Sequence, residues 1–314
     1  MKFKSFLISA SLIIIGCKNN TLYDSKISQL EETSIIGLVP NIQKKGMKWL
    51  LKNMDKDDKN ILSTSFLIDN CNYAYEAWDN TPWGRVNESL FLEYVLPFSS
   101  LNERRDNWRQ DFYERFFPIV KNAKSAYEAA AILNNNIFEM VGVIYSTKRP
   151  KADQSPYESI DAGLASCTGL SFMLIDACRS VGIPARFVGT PMWYNNSGNH
   201  SWVEIWDNGW HFTGAFEPTG DRLNEGWFAS LAARAVEGHP EYGIYAATWK
   251  KTGVFFPMDW KPGIEKYYAY DVTSSYQKYL DDNFVPLRIK VVGKNGMRKK
   301  VLVYVKADDG FLFS

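Results

Sequence analysis

Three short segments of the chain decide its fold: GLASCTG at residues 163–169, RSVGIPAR at 179–186 and NHSWVEI at 199–205. Apolar residues recur at helical spacing after Cys167, and Gly182 and Pro184 are residues of the kind that end helices. The pattern therefore predicts one helix that begins near Cys167 and stops at Gly182. A β-branched and aromatic run follows at once and predicts a strand over 185–190.

The third segment continues into a predicted β-hairpin. We take the Asn-Gly pair at 208–209 as a two-residue turn between strands over 201–206 and 210–216. This turn predicts a register in which His200 faces Glu217, with Cβ atoms about 5 Å apart. The odd-numbered residues of the first strand then form the core face, and His200 lies on the opposite face.

Cys167 and His200 are candidates for a nucleophile and its base. A cysteine at a helix start is favoured as thiolate by the unpaired N–H groups and the macrodipole, and a histidine held by Glu217 is suited to take its proton. Each feature also has an ordinary explanation: Cys167 continues the apolar stripe of its helix, and His200–Glu217 fits a cross-strand polar pair. His211 and His239 are interpreted as non-catalytic.

Together these motifs resemble the transglutaminase-like superfamily, over roughly residues 155–228. The resemblance implies an α+β fold of papain-like topology, in which a helix that carries the cysteine packs on an antiparallel sheet. A helical N-terminal region is expected before this core and a short β segment after it.

The resemblance also implies roles for individual residues. Cys167 would be the nucleophile and His200 the general base and acid, with Glu217 in the place where the family usually has an aspartate before proline. Asp221 is the reserve candidate for this third role. An oxyanion would be met by the Cys167 backbone N–H, and Gln154 is a candidate second donor.

The implied activity is acyl transfer at an amide or peptide bond through a cysteine thioester, with hydrolysis favoured over transfer to an amine. The expected partner is a peptide or protein amide, and no cofactor or metal is expected because ligand spacings for zinc or calcium are missing. An alternative is an inactive module of the same fold that binds peptide or glycan, with Trp193, Trp202 and Trp206 as cleft residues. A third is a structural envelope lipoprotein.

The first sixteen residues predict a lipoprotein signal peptide. Lys2 and Lys4 precede an apolar run over 6–15 that is too short to cross a bilayer, and Gly16-Cys17 follows it. Ile-Ile-Gly-Cys resembles the bacterial lipobox, so Cys17 is expected to carry lipid and anchor the protein in the cell envelope, either periplasmic or surface-exposed. A plain signal peptide with a chance cysteine is the alternative.

Composition limits the remaining function classes. The 314 residues are 46% hydrophobic and 23% charged, with 36 Lys and Arg against 35 Asp and Glu. This balance indicates a globular protein without the basic field of nucleic-acid binding proteins, and no second apolar run suits a membrane span. The sequence leaves the oligomeric state open.

The predicted organisation has four parts after the signal peptide. They are a tether over 17–27, the helical region over 28–150, the transglutaminase-like catalytic domain over 151–270 and a β segment over 271–314. The last contains predicted strands over 287–292 and 301–305, which either pair with the preceding domain or belong to an incomplete β-sandwich.

Three cysteines follow Cys17. If one helix carries both Cys167 and Cys178, they stand about 16 Å apart and cannot form a disulfide. A pairing of either one with Cys71 stays open.

Overall fold

The computed structural model describes residues 20–280 and the backbone of residues 305–307 and 310–312. The predicted signal peptide, Cys17 and the predicted strand over 287–292 lie outside these residues, as does all but the last residue of 301–305. The chain divides into two compact units, one ending at Asn72 and one beginning at Tyr73.

The helices and strands follow one another in a mixed order. The helices are α1 (Asn20–Tyr23), α2 (Glu32–Gly37), α3 (Lys44–Asn53), α4 (Lys56–Ile61), α5 (Thr64–Asp79), α6 (Glu88–Tyr94), α7 (Arg109–Val120), α8 (Ala126–Val141), α9 (Pro156–Ala162), α10 (Cys167–Ser180) and α11 (Ala229–Ala232). The strands are β1 (Ile144–Tyr145), β2 (Leu164–Ala165), β3 (Ala185–Thr190), β4 (His200–Trp206), β5 (Trp210–Thr213), β6 (Tyr245–Thr248), β7 (Tyr268–Asp271), β8 (Val305–Ala307) and β9 (Gly310–Leu312). Short 3-10 helices occur at Ile27–Gln29, Asn41–Gln43 and Thr273–Tyr279.

The first unit is helical wherever the structure describes regular structure in it. Helix α3 is amphipathic and buries Met47 and Leu50 completely, and α2 buries Ile35. The side chain of Asp55 caps α4 by accepting the N–H of Asp57. The predicted helical N-terminal region is confirmed, with the two-residue strand β1 as an addition that the sequence pattern did not indicate.

The second unit contains a five-stranded antiparallel sheet in the order β5-β4-β3-β6-β7. Helix α10 packs on β3 and β4, and helices α7 and α8 pack around α10. The predicted α+β architecture, with the cysteine-bearing helix on an antiparallel sheet, is confirmed. Strands β6 and β7 were not predicted. Among the described residues of the C-terminal segment, β8 pairs antiparallel with β9.

Helix α10 follows the sequence prediction closely. Ser166 caps its start by accepting the N–H groups of Thr168 and Gly169, and Gly182, at φ +86°, lies just beyond its end. Every residue of the helix after Cys167 is buried, so it is the central helix of the core rather than a helix with one solvated face.

The predicted hairpin register is wrong by one residue. Trp206 pairs with Trp210, which leaves a three-residue loop in which Asn208 adopts a left-handed conformation at φ +56°. Strand β5 also ends at Thr213, so no strand residue faces His200 from that side. The physical reason is that the left-handed Asn208 adds one residue to the turn that the Asn-Gly pair alone was expected to make.

Both faces of the sheet are buried, whereas the sequence analysis expected one core face. Val203 and Ile205 pack in the core on the α10 side, as predicted for odd-numbered positions. Trp202 and Phe212 pack in a second core with Phe228. The loop before α11 and the Thr273–Tyr279 helix supply this second layer, which covers the face opposite the predicted core face.

Candidate active site

Cys167 is the first residue of α10 and its thiol is half-buried. The cap formed by Ser166 takes the next two N–H groups, and the backbone N–H of Cys167 itself has no acceptor among the described residues. The hydroxyls of Thr168 and Ser201 lie 3.2 Å apart and join the helix start to strand β4. The thiol therefore sits at a helix N-terminus whose first N–H is available.

His200 is the first residue of β4 and faces the thiol. The strand pairs His200 with Thr190 at the end of β3, and its side chain is only 6% exposed. The imidazole forms a hydrogen bond with Cys167. Its Nε2 points toward Glu217 and has no hydrogen-bond partner among the described residues.

Glu217 reaches His200 from a turn rather than from a paired strand. Its Oε2 lies 3.5 Å from Nε2 of His200, a charge pairing longer than an ordinary hydrogen bond. The same oxygen accepts the indole N–H of Trp227 at 2.9 Å. Glu217 is thus the carboxylate next to His200, as predicted, but the cross-strand pairing on which the prediction was based does not exist.

The three groups shift each other's proton affinity. Burial acts to raise the pKa of the Cys167 thiol, but the hydrogen bond and charge of His200, the N–H of Ser201 and the hydroxyl of Thr168 outweigh it, so the pKa is lowered. Burial acts to lower the pKa of His200, but pairing with Cys167 and Glu217 raises it to about 9. Each partner therefore stabilises the charged form of the other, which favours a thiolate beside an imidazolium.

Aromatic rings pack against the imidazole of His200. The rings of Trp202 and Phe228 have centroids 5.9 Å and 4.8 Å from that of the imidazole. Trp202 donates its indole N–H to the hydroxyl of Tyr276 at 2.7 Å, and Tyr276 donates to Glu204 at 2.6 Å. One side of the imidazole therefore packs against a buried layer of aromatic rings.

Arg186 and Glu204, from two of the sequence motifs, meet in the same network. They are register partners on β3 and β4, and the guanidinium donates Nε to the carboxylate at 2.7 Å, with its terminal nitrogen at 2.6 Å. Both side chains are buried. The motif residues that do not touch the thiol thus form the buried ion pair that anchors Tyr276 and Trp202.

A cavity of about 380 Å³ contains the thiol and the imidazole. Its lining residues are Tyr145, Arg149, Ala152, Ser166, Cys167, Thr168, Asn199, His200, Glu217, Trp227, Asp259 and Trp260. The indole of Trp227 is 59% exposed and stands at the rim, with its ring centroid 4.9 Å from that of His200. The cavity has space for a substrate next to the reactive pair.

Several predicted site residues lie elsewhere. Gln154 is buried outside the cavity lining, and its amide donates to the carbonyls of Glu158 and Leu164, so it offers no donor to an oxyanion. The reserve acid Asp221 is exposed and does not line the cavity.

The three predicted cleft tryptophans do not line the cavity either. Trp193 and Trp202 are buried and stack on each other beneath the site. Trp206 packs edge-on against Trp210 at the far end of its strand. Trp193 and Trp202 belong to the second core, and Trp206 is partly buried outside it.

Some of the lining residues that were not predicted lie next to the sequence motifs, and others lie far from them. Asn199 and Thr168 directly adjoin His200 and Cys167, so neighbouring positions in the motifs indicated them. Arg149, Asp259 and Trp260 lie in loops far from any motif, and nothing in the local sequence marks them.

Three features are absent from the residues that the structure describes: a disulfide, a metal site and a membrane-spanning helix. Cys71, Cys167 and Cys178 carry thiols, and no disulfide forms among the residues that the structure describes. Within the same residues, no group of three or more His, Cys, Asp or Glu side chains is arranged to hold a metal ion. Over residues 20–280, no helix has both the length and the apolar character needed to cross a membrane.

Comparison with known proteins addresses the same part of the chain. Residues 115–215 match the family model of the transglutaminase-like superfamily. The second unit contains a transglutaminase-like domain. The match to this domain includes Cys167 and His200 and ends before Glu217.

A solved structure of a candidate cysteine protease from Cytophaga hutchinsonii is similar to part of the chain. The similarity has 16% sequence identity and a TM-score of 0.34, and it covers 46% of this chain and 47% of that chain. The chain thus spans about half the length of that structure. No curated protein matches the chain.

Proposed function

We propose that the protein is a cysteine-dependent enzyme that transfers an acyl group from an amide or peptide bond, with Cys167 as nucleophile. The observation that carries the proposal is the hydrogen-bonded pair of Cys167 and His200 at a helix start, inside a cavity and with Glu217 3.5 Å from the imidazole. Because the pairing lowers the pKa of the thiol and raises the pKa of the imidazole, it favours the ionised, nucleophilic form of Cys167.

The first half of the reaction forms a thioester. The Cys167 thiolate attacks the amide carbonyl carbon, and the negative charge that develops on the carbonyl oxygen is met by the Cys167 backbone N–H. As the C–N bond breaks, His200 gives its proton to the departing amine. Glu217 keeps the imidazole oriented and stabilises its charged form.

The second half releases the acyl group. His200, now neutral, takes a proton from water or from an acceptor amine, whose oxygen or nitrogen attacks the thioester carbon, and the thiolate departs. We favour hydrolysis because the cavity is open to solvent at its rim, where Trp227 is exposed. Water can therefore reach the thioester and accept the acyl group. The substrate class proposed is a peptide or protein amide.

An inactive binding module is the second candidate function. Tyr145, Trp227 and Trp260 line the cavity and provide aromatic rings on which a peptide or a glycan can stack. The two functions share the cavity and differ only in whether the thiol reacts.

A labelling experiment separates the two functions. An activity-based thiol probe is applied to wild type and to Cys167→Ala, with Cys178→Ala as a matched control because this second thiol of the same helix is buried and its pKa is raised. The enzyme hypothesis predicts labelling of wild type and Cys178→Ala and none of Cys167→Ala. Cleavage of a peptide library, with and without an added amine, then distinguishes hydrolysis from transfer. Wild-type protein that stays unlabelled supports the binding module.

We also propose that Cys17 is lipidated and that the protein is anchored in the cell envelope. The support is the sequence of the first seventeen residues, with Lys2, Lys4, the apolar run and Ile-Ile-Gly-Cys. Metabolic labelling with a fatty-acid analogue should mark wild type and leave Cys17→Ala unmarked. A processed but unlabelled protein indicates a plain signal peptide.

A further inference from the structure

The buried amide of Asn134 lies behind the turn that carries Glu217. Its Nδ2 donates to Oγ1 of Thr213 and to the carbonyl of Gly214, both at 2.9 Å, and its Oδ1 accepts the N–H of Phe216 at 3.0 Å. Asn134 is on α8 and is only 3% exposed. Its donor hydrogens and its acceptor are thus directed at one four-residue stretch of chain, through the Thr213 hydroxyl and two backbone groups, that ends just before Glu217.

The backbone of residues 213–216 includes one residue in an unfavourable conformation. Phe216 is in the left-handed region at φ +64°, which is unfavourable for a bulky aromatic residue. The turn is closed by the N–H of Glu217, which donates to the carbonyl of Gly214 at 3.1 Å. The bonds from Asn134 hold the carbonyl at the start of this turn and the N–H of Phe216 within it, so they stabilise the left-handed conformation of Phe216.

Gly214 shows how closely the carboxylate packs on the turn. A Cβ added at Gly214 would overlap Oε2 of Glu217 and stand 2.9 Å from its Cδ. The end of the Glu217 side chain therefore lies directly against the backbone of Gly214. From this position its Oε2 is 3.5 Å from Nε2 of His200.

We propose that Asn134 is a positioning residue, which acts through the turn Gly214–Glu217 to hold the acid against His200. This inference rests on the proposed function, because it assigns Asn134 a part in maintaining the same thiolate–imidazolium pair. Without the amide, the turn relaxes away from the left-handed conformation at Phe216. The carboxylate then moves away from His200, whose charged form loses part of its stabilisation.

The measurement is the pH profile of Cys167 alkylation by iodoacetamide. The profile has two steps: the lower one reports proton loss from the thiol beside the charged imidazole, and the upper one reports proton loss from His200. We expect Asn134→Leu to move the upper step down by about half a pKa unit, less than loss of the whole Glu217 charge would give, and to leave the lower step nearly in place. A purely structural contribution would lower the unfolding midpoint without moving the upper step.

Asn136→Leu is the matched control. Asn136 lies two residues further along the same helix, is exposed, and donates only to the carbonyl of Ile132 one turn back. The upper step of this variant should coincide with that of wild type. Asn134→Asp decides the question if the leucine variant does not fold, because it keeps the size and the acceptor for Phe216 and loses both donated bonds.

Two further variants test whether Asn134 acts on His200 through Glu217. Gly214→Ala displaces the flexible end of Glu217 without touching Asn134, and it should lower the upper step to a similar extent. In the double variant Asn134→Leu/Glu217→Gln, the upper step should fall no further than in Glu217→Gln alone, since the two changes act on the same contact. A shift of full size on top of the Glu217→Gln shift overturns the proposal.

The outcomes separate this inference from the proposed function. If Glu217→Gln lowers the upper step and the Asn134 variants do not, the positioning role is wrong and the catalytic proposal stands. If neither Glu217→Gln nor His200→Ala changes the profile, the catalytic proposal fails and the positioning role with it.

Discussion

The replacement Glu217→Gln tests how the site keeps His200 charged. The amide of glutamine has nearly the shape of the carboxylate, and its oxygen can still accept the indole N–H of Trp227. The change therefore removes one negative charge beside Nε2 of His200 while it preserves the packing of the turn. We expect the pKa of His200, which pairing raises to about 9, to fall.

The size of the fall follows from the separation of the charges. At 3.5 Å, a full charge pair contributes roughly 5 kcal/mol at an effective dielectric constant of about 20 and roughly 1 kcal/mol in bulk water. The side chain of Glu217 is 32% exposed, so solvent screening brings the value near the lower end, at about 1–2 kcal/mol. Because one pKa unit corresponds to about 1.4 kcal/mol, the pKa of His200 should fall by about one unit.

The assay is a proton NMR titration of the imidazole ring, with the resonance of His200 assigned by its loss in His200→Ala. The chain has three histidines, and the other two, His211 and His239, serve as internal references for the ring resonances. A His200 midpoint in Glu217→Gln that equals that of wild type would refute the reasoning, because the carboxylate would then contribute nothing to the charged form.

Three further predictions concern stability. The folded protein holds the proton of His200 more tightly than the unfolded chain does, so this contribution to stability is complete below the ordinary pKa of 6.5 and is lost as the pH rises through about 9. The lowered pKa of the Cys167 thiol gives a contribution of opposite sign in the same range. Urea unfolding of wild type should therefore lose less stability over this window than the roughly 3 kcal/mol that His200 alone would give, and a loss of that full size would contradict the pairing. Gly182→Ala should destabilise the protein by about 2 kcal/mol or more, measured by urea unfolding, because φ is +86° and the added Cβ would overlap Thr81; an unchanged midpoint would contradict this. Tyr276→Phe should destabilise it by about 2 kcal/mol in the same assay, since a buried oxygen of Glu204 loses its 2.6 Å hydrogen bond, and wild-type stability would show that the bond contributes little.

The sequence was sufficient to predict the parts of the fold that depend on local patterns. Ser166 is a strong helix cap, Gly182 ends the helix that follows it, and the strand Ala185–Thr190 is bounded as predicted. Side-chain capping and left-handed glycine act within a few residues, so one stretch of sequence contains all the information.

The hairpin shows where local reasoning stops. An Asn-Gly pair favours a two-residue turn, but here Asn208 takes the left-handed position within a three-residue loop, and every pairing moves by one. The carboxylate at Glu217 still reaches His200, because a separate turn held by Asn134 from a distant helix brings it there. Such tertiary hydrogen bonds leave no periodic mark in the sequence.

The aromatic residues were misplaced for a related reason. Alternation along a strand separates two faces but does not say whether one of them meets water, and here a second layer covers both. Trp202 consequently became part of a core, while Trp260, from a loop with no motif, lines the cavity. The second layer includes Tyr276, more than seventy residues along the chain from Trp202, so strand patterns alone could not reveal it.

The central claim is that Cys167 and His200 form a thiolate–imidazolium pair, and the pH dependence of Cys167 alkylation tests it most directly. In wild type, iodoacetamide should modify Cys167 well below pH 8, and in His200→Ala the modification should appear only near or above the ordinary thiol pKa of about 8.5. Coincident profiles for the two proteins, both with the midpoint of an ordinary thiol, would contradict the account.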